Sequence, residues 1–343
     1  MSADQPLIAA LRALDPNTSP DPAAYLPRQA AAGRPWNQED QLRLLVQSGG
    51  RQRILLHGCA GIGKSTELRR WRSAIPQAVL VALSEPSASP ASVVVQVLRA
   101  AAPHIPLSEL HRTPGVAQFA AVVGGTEVPP LEPRPLPELR DILDKAAASS
   151  NFPSLILIDG LELTSAKQAI ALLGSAGAFS WPGWPSLVVS VPHAWALSGK
   201  TRETAPHFEI SWHLPPIALY ERRDSEPDEA LVEAIANGLR QRLGPALGAF
   251  DHPDAVAHLA RLSGGVPRHA VLLARQAVLA AAGSPSIGDI DVASACREVR
   301  QDLREALGKA TEAEPSLSAL VSGAVLVCEG RETRFNRLHP LLS

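Results

Sequence analysis

Aromatic residues make up only 4% of this 343-residue chain, so its cores must be built from Ala, Leu, Val and Ile. Lysine is scarce too: of 32 basic residues, Lys64, Lys145, Lys167, Lys200 and Lys309 are the lysines, and arginine supplies the rest. Cys59, Cys296 and Cys328 lie far apart with no CxxC pair, which speaks against a disulfide framework or a zinc ribbon. No uninterrupted apolar run approaches the roughly 20 residues that span a bilayer. The first residues, MSADQPLIAALRALDPN, lack the basic start and long apolar stretch of a secretory signal, so a soluble, cytoplasmic protein without a membrane partner is expected. An excess of one charge is missing as well. A net charge of −2 and a pI near 6.6 provide no global field to draw the chain to nucleic acid or membrane.

Hydrophobic residues at 45% and charged residues at 19% exclude wholesale disorder, and the length predicts two or three modules. Residues 1–35 form an N-terminal arm with a helix around Leu7–Leu14 and a Pro-rich stretch. From Asn37 the pattern predicts a helix, a buried strand Arg53–His57, a Gly-rich turn, a helix Thr66–Ile75, a strand Ala78–Leu83 and a helix Ser92–Ala101. Eight prolines in 103–137 rule out a long helix there, and the segment reads as a solvated excursion. Beyond it come helix 138–148, strand Ser154–Ile158, helix 165–173 and strand Ser186–Val191, an alternation that predicts a parallel α/β sheet. After Leu214-Pro215-Pro216 the pattern turns helical over 227–243, 253–263, 267–282 and 289–308. A short helix near Ser316–Val321 and two strand-like runs follow, the order of a small winged-helix unit. The expected organisation is an α/β core over 36–220, a helical lid over 221–283 and a winged-helix-like unit over 284–343.

The strongest chemical signal is Gly58-Cys59-Ala60-Gly61-Ile62-Gly63-Lys64-Ser65, which fits G-x-x-x-x-G-K-[ST]. Its glycines let backbone N–H groups turn inward around phosphates at a helix N-terminus. Lys64 is expected to stay exposed until phosphate arrives and then to reach the β- and γ-phosphates of ATP, while Ser65 offers its hydroxyl to Mg²⁺. A carboxylate near the metal is expected at the end of a neighbouring buried strand, and Leu155-Ile156-Leu157-Ile158-Asp159 supplies one. Many ATPases place a Glu directly after this Asp. Here position 160 is Gly, and Glu162 is the next carboxylate able to polarise the attacking water.

With these elements placed, the chain resembles the AAA+/STAND branch of P-loop ATPases. The resemblance rests on GCAGIGKSTELRRW, which extends the loop to Thr66, on LILIDGLE, and on the order of strand, Leu-Pro-Pro boundary, lid and winged helix. Gly265-x-Pro267 resembles the GxP turn of STAND proteins, which implies nucleotide contact through Pro267. Arg268 stands where AAA+ proteins of the replication-initiator type carry a γ-phosphate-sensing arginine. Ser190 matches the polar sensor at the end of the fourth strand, and Arg202, Arg222 or Arg223 could serve as an arginine finger. The ending FNRLHPLL resembles that of bacterial STAND-like ATPases, with His339 in a structural role.

The resemblance implies an ATP- and Mg²⁺-dependent regulatory switch that acts on a partner protein or by self-assembly, in signalling or antiphage defence. The alternative is a DNA-associated AAA+ ATPase, of initiator or transposition-helper type, working through the winged helix. Over 291–343, seven basic residues face eight acidic ones, although Arg331, Arg334 and Arg337 cluster on the wing. A small-molecule kinase would not need the lid and tail.

Overall fold

A computed structural model of the chain describes residues 5–15, 37–83, 89–104, 136–147, 151–161, 166–174, 177–191, 193, 196, 205–220, 226–312, 326–329 and 335–338. These residues fall into two compact units. One comprises Asn37–His57 and Glu67–His213; the other comprises Met1–Trp36, Gly58–Thr66 and Leu214–Ser343.

The first of these is built on a five-stranded sheet. Its strands are β1 (Arg53–His57), β2 (Ala78–Ala82), β3 (Leu155–Asp159), β4 (Ser186–Ser190) and β5 (Ile210–His213), all parallel, in the order β2-β3-β4-β1-β5. The central strands are nearly continuous apolar runs because both faces are covered: every residue of β3 and β4 is buried. Leu55, Val81, Ile156, Ile158, Leu187 and Val189 point into one cluster with helices α4 (Pro90–Ala101) and α5 (Leu136–Ala147). On α4 the buried positions are Val93, Val94, Val97, Leu98 and Ala101, one helical face. On the opposite face Trp71, from helix α3 (Lys64–Ala74), meets Trp212 edge-on at 6.1 Å. Helices α2 (Gln38–Gln47) and α6 (Ala166–Leu173) complete the regular elements.

Four of the five strands match the sequence expectation closely; β5 does not. At four residues, Ile-Ser-Trp-His, it lies at the sheet edge with one exposed and three half-exposed positions, so it carries no apolar run to betray it.

The second unit is helical. Helix α1 (Gln5–Ala13) and the helices α7 (Glu229–Leu243), α8 (Pro253–Leu262), α9 (Pro267–Ala280) and α10 (Asp289–Glu312) share one core. Asp228 caps α7, its Oδ1 accepting from the N–H groups of Ala230 at 2.9 Å and Leu231 at 3.3 Å. Pro253 and Pro267 open α8 and α9, where a missing N–H costs nothing. Leu7, Ala10 and Leu14 of the N-terminal arm are buried in this same core.

An antiparallel hairpin, β6 (Leu326–Glu329) and β7 (Phe335–Leu338), pairs Leu326 with Leu338 and Glu329 with Phe335. The helix expected near Ser316–Val321 and most of the Pro-rich stretch 103–137 lie outside the described residues. No helix among the described residues is long and apolar enough to cross a membrane.

Candidate nucleotide site

Strand β1 runs out at His57, and Gly58–Gly63 turn the chain into α3 at Lys64. Gly61 and Gly63 adopt φ of 76° and 101°, left-handed values that a side chain resists. Gly58 needs to be small for another reason: a Cβ there would stand 2.8 Å from the Leu214 carbonyl oxygen. The Ile62 N–H closes a turn on the Cys59 carbonyl at 3.3 Å, and both side chains are buried. Ala60 is exposed, while Ser65 and Thr66 are half-buried in the first turn of α3.

Lys64 departs from expectation. It is not exposed but 7% accessible, with Nζ donating to the carbonyls of Gly58 at 3.2 Å and Cys59 at 3.5 Å. A buried ammonium must find acceptors, and the loop's own carbonyls are within reach. The lysine thus already points into the loop.

The lid turn meets this loop. Gly264 and Gly265 take φ of 60° and 75°, and a Cβ on Gly265 would lie 1.9 Å from the Ile217 carbonyl oxygen. Ile217 donates its N–H back to the Gly265 carbonyl at 3.1 Å. This pairing sets Pro267 at the first position of α9, and the Arg268 N–H then donates to the Gly61 carbonyl at 3.2 Å. The Arg268 stem covers Gly61 so closely that a Cβ there would come within 2.5 Å of the arginine Cβ. Residues 58–66, Pro267 and Arg268, some two hundred positions apart, therefore form one assembly.

Asp159 and Ser190 stand at the C-terminal ends of neighbouring strands β3 and β4, one residue beyond the register pair Ile158 and Val189. They are 6% and 0% exposed. Gly160 has a physical reason not to be Glu. Its φ is 90°, and a Cβ would sit 2.4 Å from the Leu83 carbonyl oxygen, so the turn after Asp159 admits no side chain. Glu162, Arg202, Arg222, Arg223 and His339 lie outside the described residues.

At the start of α3 an ion chain that the sequence did not reveal anchors the helix. Glu67, 1% exposed, accepts from Arg70 Nε at 3.2 Å; Arg70 also pairs with Glu39, which accepts from Arg43 at 2.7 Å. Its partners come from α2 and α3, and no spacing within either helix signals the pairing between them.

The residue set fits a nucleoside triphosphate with Mg²⁺. The loop offers left-handed glycines and an inward lysine, and the Ser65 hydroxyl at the start of α3 is a hard oxygen donor of the kind Mg²⁺ prefers.

No family model matches the chain, and no curated protein matches it. Solved structures do. Cdc6p from Pyrobaculum aerophilum superposes with a TM-score of 0.50 at 14% identity, over 96% of this chain and 94% of that one. The ORC1 protein of Aeropyrum pernix, solved in complex with DNA, gives 0.49 at 18% identity, over 85% and 70%. A Walker-type ATPase of Pyrococcus abyssi gives 0.48 at 14% identity, over 93% and 97%. The chain shares the fold of that Cdc6p structure, a parallel α/β core of the P-loop type followed by a helical region. At these identities the shared property is the fold, and the chemistry has to be argued from the residues.

Proposed function

We propose that this chain is an ATP-binding and ATP-hydrolysing switch in which the lid turn reads the nucleotide. One observation carries the reading: Arg268 is seated on the phosphate loop through its backbone N–H and its stem. Its guanidinium, carried at a helix N-terminus on a stem that packs over Gly61, is the group to distinguish ATP from ADP by contact with the γ-phosphate. In this reading Lys64 exchanges its carbonyl partners for phosphate oxygens, and the loop N–H groups from Gly58 to Thr66 bind the remainder. Ser65 and Asp159 hold Mg²⁺, which when bound neutralises phosphate charge. Glu162 activates water with Ser190 positioning it, and Pro267 flanks the nucleoside. The output passes to a partner protein or to further copies of the chain.

The test is amide exchange over 253–282 with ADP and with a non-hydrolysable ATP analogue. A ligand shifts an equilibrium only by its differential affinity for the two states. The analogue should protect the lid more than ADP does, and Arg268→Ala should shrink that difference by about 1.5–3 kcal/mol, the range for a hydrogen bond to a charged group. Equal protection in the unmutated protein would remove the mechanism.

A DNA-associated ATPase is the second reading, and the fold serves it equally well. It draws on Arg331, Arg334 and Arg337 of the tail, with Arg337 on strand β7. Salt-dependent binding of a labelled duplex, weakened by Arg337→Ala, would favour it.

A further inference from the structure

A cavity that the proposed ATP chemistry leaves unused opens at the N-terminal edge of the sheet, where β1, β3 and β4 begin. Asp159 and Ser190 stand at the other ends of their strands. The walls are Val46 from the last turn of α2, Ala147 from the end of α5, Phe152 and Pro153 ahead of β3, and Pro185 ahead of β4. Among the described lining residues Arg51 alone is charged.

The cavity follows from how α2 ends. Gly49 takes a φ of 67°, its N–H donates to the Val46 carbonyl at 3.2 Å, and the Gly50 N–H donates to the Leu45 carbonyl at 3.2 Å. This left-handed exit satisfies two of the last helical carbonyls and turns the chain toward β1. Ser186 ties the exit to β4, its Oγ donating to the Gly50 carbonyl at 2.7 Å and accepting from the Gln52 N–H at 3.3 Å. The Ser186 N–H donates in turn to the Ser154 carbonyl at 3.2 Å, and the Leu187 N–H to the Gln52 carbonyl at 2.7 Å. Hydrogen-bonded strand starts and two prolines therefore hold the cavity open before anything enters it, which keeps the ordering cost of binding low.

Size and charge select the occupant. The volume is about 170 Å³, short of the roughly 300–1,000 Å³ of small-molecule sites but enough for one bulky side chain. Single anchors of that kind carry most of the energy of protein interfaces. Arg51 is exposed and makes no hydrogen bond or ion pair with another described side chain. A planar guanidinium beside an apolar cavity is matched by a carboxylate next to the anchor, through paired N–H···O bonds. A nucleic-acid backbone would use the cation but leave Val46, Phe152, Pro153 and Pro185 without a complement.

We propose that this cavity docks a segment of a partner protein that inserts a bulky apolar side chain and sets an adjacent Asp or Glu on Arg51. No residue of the phosphate loop or the lid turn lines it, so the docking site stands whether or not the chain binds ATP.

The experiment pans a displayed library of short random peptides on the full chain, on Arg51→Glu, and on Ala147→Leu, which adds bulk to the cavity wall. Circular dichroism and thermal melts check that both variants fold. The unmutated chain should enrich peptides with Phe, Trp, Leu or Met beside Asp or Glu. Arg51→Glu should enrich the same apolar residues beside Lys or Arg, a swap that a merely structural arginine would not produce. The strongest peptide, followed by fluorescence anisotropy, should lose at least tenfold in affinity with either variant. No enriched pattern, or affinity kept within twofold in Arg51→Glu, overturns the proposal. Should Ala147→Leu fail to fold, Arg51→Glu at its exposed position decides alone. Two other occupants would also overturn it: a labelled DNA duplex that binds more tightly than any peptide and is released by Arg51→Glu, or a dimer in sedimentation velocity that the same substitution dissociates.

Discussion

Lys64 carries its charge into the phosphate loop and shares it between two carbonyls, at 3.2 and 3.5 Å. Neither carbonyl is an ionic partner, so an anionic phosphate is the stronger acceptor. Lys64→Ala should lower ATP affinity at least tenfold, about 1.4 kcal/mol, by calorimetry. Circular dichroism should remain native, because the freed carbonyls can still bond to water. Asp159→Asn should abolish Mg²⁺-dependent phosphate release, since a neutral amide holds a hard cation poorly. Glu162→Gln should bind ATP normally yet turn over at least tenfold more slowly; an unchanged rate would assign the water to another group. Away from the site, burial pushes the Cys296 thiol up, against the opposing pull of Arg300 and Arg297. Raising that pKa lowers the thiolate fraction, so at pH 8 Cys296 should alkylate more slowly than a free cysteine, as followed by mass spectrometry.

At the next scale, helix α9 is held at its start by the loop and along its side by α1. Its Arg275 donates to the Leu11 carbonyl at 3.2 Å, and Arg242 of α7 donates to the carbonyls of Ala13, at 2.7 Å, and Asp15. These cations cover the C-terminal end of α1, where carbonyls lack helical partners. Burial lowers the pKa of Arg242 against the pull of Asp15, but it remains a cation at neutral pH. Leu14 is fully buried just past α1, so Leu14→Ala should destabilise the helical unit by about 2–5 kcal/mol in thermal melts. Gly61→Ala probes the other contact. Its left-handed backbone costs about 1–2 kcal/mol with a side chain, and the added methyl would meet Arg268 at 2.5 Å. Amide exchange in the first turn of α9 should accelerate. Unchanged exchange would mean that the loop does not hold the lid turn.

For the molecule as a whole, the relevant fact is that its two hydrophobic clusters share no residue. Separate cores can lose cooperativity separately. Among the described residues, Trp71, Trp181, Trp184 and Trp212 all belong to the sheet unit. Leu239→Ala, in the core of the helical unit, should bring forward the loss of helical circular dichroism while the tryptophan fluorescence midpoint stays in place. Both signals moving together would show a single cooperative fold.

The phosphate loop, the buried strands ending at Asp159 and the helices of the lid were legible in the sequence because each is a local property. Glycine spacing, an uninterrupted apolar run and a 3.6-residue period all act within one segment. Strand β5 was hidden because an edge strand of four residues needs no apolar pattern; its partner, β1, supplies its hydrogen bonds. The exclusion of a side chain at Gly160 by Leu83 and the seating of Arg268 on Gly61 each join distant segments. So does the contact between His57 and His193, 2.9 Å from Nδ1 to Nδ1. No window of sequence contains both members of such a contact, so tertiary packing alone decided them.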